Sequence, residues 1–308
     1  MIKKKNKLST KTFAKIFKIK ESSLPIVAKQ VINNANFNYE IIKGKDRDTA
    51  ILKVVKSLNS DLKISGPQRK LDWERGWDEN LEEFKQSNDL NDLIPKFVKG
   101  TYIRFQGNYI EPESNSFETE FVIVLRYYLF DKYYKNISKL YEFGTGTGLN
   151  LVAATKIFPE MKLVGLDWAN SSIDIISALK EKLKINVSGR RFDLFNPDDK
   201  YKLDEDCGIL TVGTLEQLGE NFKPFINYLL KNKPKICIHM ETIYELYNPG
   251  DLLDYLAIKY LEKRNYLRGF LPYLRSLEKK RKIKILEIRK TFGSYYHDGY
   301  TYIVWKPI

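Results

Sequence analysis

Histidine and cysteine are both scarce in this chain of 308 residues, which contains two of each. The cysteines, Cys207 and Cys237, are too few for a disulfide scaffold, and they fall within apolar runs, where small thiols normally pack. No apolar run is long enough to span a bilayer. The N-terminal segment does not read as a signal peptide, because Lys15, Lys18 and Lys20 interrupt its apolar residues. These absences predict a cytoplasmic protein.

The positive charge of the chain is concentrated at its N-terminal end. The whole sequence has a formal net charge of +13, and residues 1–65 hold 15 Lys/Arg against 5 Asp/Glu. Such an extension could dock on nucleic acid or on anionic lipid. It lacks the interleaved arginines and stacking aromatics of a nucleic-acid arm. We therefore favour a solvated, partly disordered terminus and keep nucleic-acid binding as the alternative.

Three zones follow one another along the sequence: a basic, mainly helical N-terminal extension (1–65), a helical and aromatic-rich cap region (66–136) and an alternating region (137–308). The last zone alternates strand and helix patterns, which predicts an α/β fold with a parallel sheet covered by helices. Its seven predicted strands are 138–143, 162–167, 187–192, 207–212, 235–240, 283–288 and 300–305. Only about a dozen residues separate the last two strands, so we expect a terminal antiparallel hairpin.

Residues 141–148 read Y-E-F-G-T-G-T-G and carry three glycines at alternate positions. They follow a short apolar run and precede a helical pattern. Glycine allows a tight strand-to-helix turn with bare backbone N–H groups at a helix N-terminus, so that a ligand can lie against the main chain. A dinucleotide fingerprint needs a further glycine where this chain has Leu149. The stretch therefore predicts a cofactor loop of a different kind.

The E-x-G-x-G-x-G form of this loop resembles motif I of class I S-adenosylmethionine-dependent methyltransferases. The five alternating units, the long helical insert and the terminal antiparallel hairpin resemble the seven-stranded, Rossmann-like sheet of that class. From residue 66 onward the chain is similar to bacterial methyltransferases that accompany surface-polysaccharide biosynthesis, in segments such as R-F-Q-G-N-Y-I-E-P, T-L-E-Q-L-G and F-G-S-Y-Y-H-D-G-Y. The resemblance implies a methyltransferase with S-adenosyl-L-methionine as its cofactor.

Polar residues at the ends of successive predicted strands extend the cofactor site. Asp167 ends the second strand, where a carboxylate can accept two hydrogen bonds from ribose hydroxyls. Trp168 follows and could lie on the adenine face. Asp193 ends the third strand and could accept from the adenine amino group, with Leu194 beside it. A strand-terminal Asp is also a common helix N-cap, but these residues fall in order at one edge of the sheet.

The resemblance adds three residues to this site. It implies that Glu142 meets the ammonium group of the cofactor and that Thr214 and Leu215 line its methionine moiety. The complete set of predicted cofactor-binding residues is Glu142, Gly144, Thr145, Gly146, Gly148, Asp167, Trp168, Asp193, Leu194, Thr214 and Leu215.

Methyl transfer to a hydroxyl oxygen requires a base, because the pKa of a hydroxyl lies far above neutrality. The first choice is His297 in the final hairpin, and Asp298 or Glu241 could be the neighbouring carboxylate that holds a histidine base. His239 at the end of the fifth strand and Glu216 after the fourth strand are the other choices. The structural alternatives are a hydrogen-bonded strand residue for His239 and a turn residue for His297.

Two segments look like walls of an acceptor pocket, residues 99–112 and residues 246–274. The second alternates Tyr with Lys and Arg, which suits sugars and phosphates, although an amphipathic cover helix with snorkelling cations has the same pattern. The predicted acceptor-binding residues are Arg104, Tyr109, Glu241, Arg268, Tyr296 and Tyr300. No metal site is predicted; Glu241 and Glu245 stay open as ligands because some sugar methyltransferases use magnesium.

The leading functional prediction is O-methylation of a sugar, nucleotide-sugar or glycan. The rival is an RNA or protein methyltransferase that docks through the basic extension. A cofactor-binding scaffold without turnover is a third reading. The N-P-P-Y-type motif of base N-methyltransferases is absent after the fourth strand, where the chain reads G-T-L-E.

Overall fold

The computed structural model describes residues 5–96 and 102–308. In the first part of the chain these residues form short strands and helices that precede the main sheet. The elements are β1 (Asn6–Lys7), α1 (Thr10–Phe17), α2 (Ile26–Asn34), β2 (Asn38–Ile41), α3 (Gly44–Leu58), α4 (Lys70–Ser87), β3 (Ile103–Phe105), β4 (Asn108–Pro112) and α5 (Phe117–Tyr133).

The second part of the chain alternates strands and helices, as its sequence pattern predicts. The elements are β5 (Lys139–Phe143), α6 (Leu149–Thr155), β6 (Lys162–Asp167), α7 (Asn170–Leu183), β7 (Val187–Arg191), β8 (Cys207–Val212), α8 (Lys223–Asn232), β9 (Ile236–Met240), α9 (Leu252–Arg264), α10 (Phe270–Lys279), β10 (Ile283–Arg289), β11 (Phe292–Gly293) and β12 (Tyr302–Pro307).

Seven of these strands form one mixed sheet in the order β10-β12-β9-β8-β5-β6-β7. Strands β5 to β9 are parallel, whereas β12 runs antiparallel to both β9 and β10. The predicted α/β fold with seven strands is confirmed. Because β5, β6 and β8 are parallel neighbours, their carboxyl ends meet at one edge, and the loops that follow them face the same space.

A second sheet joins distant parts of the sequence. It has the order β1-β2-β4-β3-β11, and its strands are antiparallel. Strand β11 lies in the connection between β10 and β12, so this connection leaves the main sheet, pairs with β3 and returns. The second sheet therefore fixes the residues that follow β11, at 294–301, against the cap region.

The basic extension is folded into the core. Ser9 begins α1 with a capping box, in which its hydroxyl accepts from the Thr12 N–H at 3.3 Å. Phe13 and Phe17, four residues apart, share one face of this helix. Phe17 stacks on Tyr128 of α5 with ring centroids 4.3 Å apart. The expected solvated, partly disordered terminus is wrong from residue 5 onward, because the lysines cover only the outer face of α1.

The hydrophobic core continues from this helix to the main sheet. Phe13, Phe17 and Phe121 belong to the same buried cluster as Leu140 of β5 and Val304 of β12. Among residues 5–96 and 102–308, no helix combines the length and the apolar character that a membrane crossing needs.

Candidate functional site

A cavity of about 950 Å³ opens at the carboxyl ends of β5, β6 and β8. Its volume is that of a pocket for a cofactor-sized ligand, roughly 300–1,000 Å³. The lining residues come from α4, α5, the glycine loop, the ends of β6 and β8, the end of α9 and the segment after β11. They include Arg69, Trp73, Trp77, Glu118, Arg126, Gly144, Thr145, Gly146, Asn150, Asp167, Trp168, Leu194, Thr214, Glu216, Tyr260, Arg264, Tyr266, Tyr296, His297 and Tyr300.

The glycine loop forms the base of this cavity. Gly144 has φ +68°, and a Cβ atom built there would lie 2.2 Å from the side chain of Thr214. Gly148 has φ +71° and begins α6, and its Cβ would lie 2.6 Å from Ile176. Both positions therefore need glycine for backbone conformation and for space. Gly144, Thr145 and Gly146 line the cavity, whereas Gly148 packs behind it against α7.

Asp167 joins the loop after β6 to the glycine loop. It lines the cavity, and one carboxylate oxygen accepts from the Gly146 N–H at 2.9 Å while the other accepts from the Ala169 N–H at 3.0 Å. Burial raises the pKa of Asp167, although these backbone N–H groups act in the opposite direction. Each oxygen keeps a second lone pair for a ligand hydroxyl.

The carboxylate of Glu142 lies beneath the glycine loop and does not reach the cavity wall. It accepts hydrogen bonds from the Thr145 hydroxyl at 2.9 Å and from the amide nitrogen of Asn150. Burial raises its pKa to about 8. The direct contact with a cofactor ammonium that the resemblance implies is not available from this position. Asn150 stands between Glu142 and the cavity.

Asn150 and Arg126 bring one acceptor and one donor to the cavity near Glu142. The Asn150 Oδ1 atom is buried, and no described residue donates to it. Likewise, the buried Nε atom of Arg126 has no hydrogen-bond acceptor within the described parts of the chain. Burial lowers the pKa of Arg126, while Tyr300 and Glu142 act in the opposite direction. An unsatisfied acceptor and an unsatisfied donor near one buried carboxylate suit a zwitterionic amino-acid group.

The predicted adenine-side residues separate into two groups. Trp168 and Leu194 line the cavity, and Trp168 stacks on Phe195 with centroids 5.7 Å apart. Asp193 lies in a neighbouring groove with Arg190 and accepts from the Phe195 N–H at 2.9 Å. The structure thus places Asp193 outside the cavity, because its carboxylate closes a local turn in its own loop.

Helix α4 covers the cavity opposite the glycine loop. Trp73 and Trp77 stack with centroids 5.4 Å apart, and the Trp77 ring lies so close to Gly146 that a Cβ there would be 3.0 Å away. Glu74 on the same helix accepts from the N–H groups of Asn170 at 2.9 Å and Ser171 at 2.7 Å. These bonds cap the N-terminus of α7 and fix α4 over the cavity.

Glu241 holds the loop after β8 in place. Its carboxylate is fully buried and accepts from the N–H of Thr214 at 3.1 Å and the N–H of Glu216 at 3.3 Å. Burial raises its pKa to about 7. Thr214 lines the cavity, but Leu215 points into the core beneath the loop. Glu241 and Leu215 are therefore not wall residues, because one clamps the backbone and the other fills the core.

His239 is a core residue. It is fully buried, its Nδ1 atom lies 2.9 Å from the Thr211 hydroxyl, and its ring packs between Phe270 and Trp305. Burial lowers the pKa of His239 to about 3. It does not line the cavity, so the expectation of a base at this position is wrong.

His297 does line the cavity, between the rings of Tyr260 and Tyr266, each 5.8 Å away by centroid. Burial lowers its pKa to about 3, and Arg104 and Arg264 add to this effect. The imidazole is therefore neutral at physiological pH but weakly basic. Asp298 does not hold it, because that carboxylate accepts from Arg104 instead, at 3.2 Å.

Glu216 lines the cavity in the loop after β8, on a short 3-10 helix (Leu215–Leu218). Burial raises the pKa of its carboxyl to about 8, Glu241 adds to the rise, and Arg264 opposes it. A carboxyl group that ionises near physiological pH is suited to general acid–base work. Of the three predicted base residues, Glu216 is the one whose environment fits that role.

Two predicted acceptor residues, Tyr296 and Tyr300, line the cavity. Tyr296 stacks on Tyr260 with centroids 4.4 Å apart and an interplanar angle of 7°. The Tyr300 hydroxyl donates to Glu118 at 2.8 Å, and burial raises the pKa of that carboxyl. Together these side chains give one end of the cavity an aromatic wall with hydroxyl groups.

The other predicted acceptor residues have structural roles. Arg104 is buried and donates to the Leu253 carbonyl at 2.6 Å and to Asp254 at 2.7 Å, besides its contact with Asp298. The Tyr109 hydroxyl donates to the Tyr295 carbonyl at 3.1 Å. Arg268 pairs with Glu220 at 3.1 Å outside the cavity. Of the predicted wall at 99–112, residues 99–101 lie outside the described residues, and the rest forms β3 and β4.

Sequence reasoning missed most of the cavity wall opposite the sheet. Trp73 and Trp77 have an i, i+4 spacing that indicates one helix face, but nothing in the sequence says what that face covers. Arg126 lies in the helix before β5. Tyr260, Arg264 and Tyr266 lie within the predicted pocket wall at 246–274. The alternation of Tyr with Lys and Arg in that segment was the sequence pattern that could have identified them. Groups of three or more His, Cys, Asp or Glu side chains arranged to hold a metal ion do not occur in the described residues.

Comparison with known proteins gives the class of fold. No family model and no curated protein matches the chain. The chain is similar to the crystal structure of geranyl diphosphate C-methyltransferase from Streptomyces coelicolor A3(2), with a TM-score of 0.50 and 13% identity over 80% of this chain and 100% of that chain. That structure contains Mg²⁺, geranyl diphosphate and S-adenosyl-L-homocysteine.

Two further solved structures are similar. One is the [4+2]-cyclase SpnF, with a TM-score of 0.48 and 13% identity over 75% of this chain and 77% of that chain. The other is a geranyl diphosphate methyltransferase in complex with SAM, with a TM-score of 0.44 and 11% identity over 64% and 93%. The comparison with geranyl diphosphate C-methyltransferase shows that the chain has the same fold as that enzyme.

Proposed function

We propose that this protein is an S-adenosyl-L-methionine-dependent methyltransferase that methylates a hydroxyl oxygen of a sugar, nucleotide-sugar or glycan. The observation that carries the proposal is the cavity at the carboxyl edge of the sheet, where the glycine loop, Asp167 and Trp168 meet a wall of tyrosines. The fold supports the reaction class, and the chemistry of the wall supports the acceptor class.

The residues around the cavity fit the parts of the proposed cofactor. Asp167 accepts hydrogen bonds from the ribose hydroxyls, and Trp168 lies on the face of the adenine. Asn150 and Arg126 have the unsatisfied acceptor and donor for the amino and carboxylate groups of its methionine. They take the place of the direct Glu142 contact, and Glu142 orients Asn150 from below. When bound, S-adenosyl-L-methionine supplies an electrophilic methyl group at a sulfonium.

The chain itself must position an acceptor hydroxyl, exclude water and take up a proton. Helix α4, with Trp73 and Trp77, covers the cavity on the side away from the sheet. Glu216 is the proposed base, because its pKa of about 8 makes its carboxylate a much stronger base than His297. His297 and Tyr296 shape the aromatic wall that holds the acceptor.

The test is calorimetry with S-adenosyl-L-homocysteine and NAD as separate ligands, followed by transfer from methyl-labelled S-adenosyl-L-methionine to a panel of sugars, nucleotide-sugars and glycans. We expect S-adenosyl-L-homocysteine to bind and NAD not to bind. We expect Arg126→Gln and Asn150→Ala to weaken the binding of S-adenosyl-L-homocysteine. Arg275→Gln, on the exposed face of α10, should leave that binding unchanged. This result would assign the amino-acid part of the cofactor to Arg126 and Asn150. Binding of NAD alone would overturn the proposal.

The rival function, methylation of RNA or protein through a basic docking arm, has less support. It needs an N-terminal extension that is free to reach a partner. From residue 5 the extension instead packs through Phe13 and Phe17 into the core. Binding of a structured RNA with a steep dependence on salt concentration would favour the rival.

A further inference from the structure

Arg264 ends α9 and presents an incompletely bonded guanidinium group to the cavity. Its Nη2 atom donates to the Tyr266 hydroxyl at 2.9 Å. The group lies 5.0 Å from the centre of the Tyr266 ring and 6.0 Å from that of Tyr260. The Nε atom is buried, and no residue that the structure describes accepts its hydrogen bond.

Arg69 presents a second such group from the start of α4. Its Nε atom donates to Asp72 at 2.8 Å, and its guanidinium lies 5.3 Å from the centre of the Trp73 ring. The Nη1 atom is buried without an acceptor among residues 5–96 and 102–308. Leaving a buried N–H of a charged group unpaired costs free energy, which a ligand oxygen can recover.

Both guanidinium groups line the same cavity as Tyr260, and that of Arg264 lies 6.0 Å from the centre of the Tyr260 ring. Burial raises the pKa of the Tyr260 hydroxyl to about 12; Arg264 and Arg69 oppose this rise, whereas Tyr296 and Glu216 add to it. Two carboxyl groups lie in this cluster: Asp72 is paired with Arg69, and burial raises the pKa of Glu216 to about 8. This end of the cavity therefore presents two guanidinium groups, one of them paired with a carboxylate.

We propose that Arg264 and Arg69 together bind an oxyanion of the methyl acceptor, a phosphate or a carboxylate, beside Tyr260. Guanidinium groups recognise both anions through paired N–H donors, and the aromatic neighbours hold the two forks in fixed orientations. The inference rests on the proposed function, since it names the acceptor class for the same cavity. It selects anionic acceptors, such as sugar phosphates and uronic acids, over neutral sugars.

The experiment measures binding to the full chain saturated with S-adenosyl-L-homocysteine. The probes are pyrophosphate, glucuronate and glucose, and calorimetry gives each dissociation constant. We expect pyrophosphate or glucuronate to bind and glucose not to bind; the stronger of the two probes identifies a phosphate or a carboxylate site. Arg264→Gln and Arg69→Gln should each weaken that probe by about 10- to 100-fold, since each removes a charge-assisted hydrogen bond.

The controls separate the two proposals. Arg264→Lys keeps the charge but lacks the planar fork, so it should recover only part of the binding. Arg275→Gln, on the exposed side of α10, should bind the anion like wild type. The S-adenosyl-L-homocysteine affinity of every variant should be unchanged. If the cofactor product binds but neither anion binds, or if the anion binds equally well to both Gln variants, the oxyanion site is refuted while the proposed function stands.

Discussion

The carboxylate of Asp167 accepts a 2.9 Å hydrogen bond from the backbone N–H of Gly146. This bond links the end of β6 to the middle of the glycine loop, so the residue proposed to hold a ribose also shapes the loop beneath it. The proposed role in binding the cofactor and the structural role in holding the loop therefore fall on one side chain.

Substitution of Asp167 should affect stability and binding together. Asp167→Ala leaves the N–H groups of Gly146 and Ala169 without acceptors, and we expect a loss of about 1–3 kcal/mol in the free energy of unfolding. Binding of S-adenosyl-L-homocysteine should weaken as well. Urea unfolding and calorimetry measure the two effects, with the exposed Asp174→Ala as the control. Unchanged affinity in Asp167→Ala would remove this residue from the site.

Gly148 and Gly269 offer a matched pair, because each begins a helix with positive φ, at +71° and +78°. Gly269→Ala meets no atom within 4 Å, whereas Gly148→Ala places a Cβ 2.6 Å from Ile176. We expect about 1–2 kcal/mol of destabilisation from backbone strain in both and about 1–3 kcal/mol more from overpacking at Gly148. Urea unfolding of the two variants measures the difference. Equal losses of stability in the two variants would show that α7 shifts to accommodate the added methyl group.

Glu216 gives the proposed reaction a defined pH dependence. Its pKa is raised to about 8, and the deprotonated form is the base, so turnover should rise with pH and reach half its plateau near that value. Glu216→Gln should lower turnover by about 10²–10⁴-fold and abolish this limb of the profile. The exposed Glu205→Gln is the control. A wild-type profile that falls only below pH 4 would instead assign the proton to His297, whose pKa is about 3.

The buried aromatic residues of α1 predict that the extension contributes to folding. Phe13→Ala or Phe17→Ala should each lower the free energy of unfolding by about 3–5 kcal/mol, the usual cost of removing a buried Phe. Lys15→Ala on the exposed face of the same helix should change it little. Chemical denaturation of the three variants makes the comparison. Wild-type stability in both Phe variants would restore the interpretation of the extension as a solvated arm.

Glu287 should make stability depend on acid pH. Burial opposes its ionisation, but Lys132, Tyr133, Arg289 and Tyr302 hydrogen-bond to it and lower its pKa from 4.5 to about 2. The folded-state pKa is depressed, so the stabilisation is present above pH 4.5 and is lost as the pH falls towards 2. Its size is about 1–3 kcal/mol at neutral pH, because solvent screens part of the interaction.

The Glu287 measurement compares Glu287→Gln with wild type by urea unfolding at pH 7 and at pH 3. The stability gap between the two proteins should be largest at pH 7 and smaller at pH 3. Glu181→Gln, exposed on α7, is the control. If the difference in stability between the two proteins is the same at both pH values, the charge of the Glu287 carboxylate does not contribute to the stability of the fold.

The sequence predicts the main sheet well because each strand is a local apolar pattern and parallel strands bring their ends to one edge. That reasoning placed Asp167 and the glycine loop at the cavity. It failed for Arg104, whose partners Asp254 and Asp298 are distant in sequence, so an apparent ligand-binding arginine is a buried structural one. It failed for α1 because net charge conceals an apolar face. It also missed Trp77, because helix spacing indicates a face but not what that face covers.

The pairing of β3 with β11 has a consequence for biosynthesis. The five-stranded sheet contains β1 and β2, yet its edge strand β11 is synthesised long after them. A nascent chain therefore holds the extension and cap without this partner until β11 has left the ribosome. The tyrosine wall of the cavity can take its final arrangement only after β11 has paired with β3, and contacts of such long range slow folding. Removal of β11 should thus disturb the sheet that contains β1 and β2.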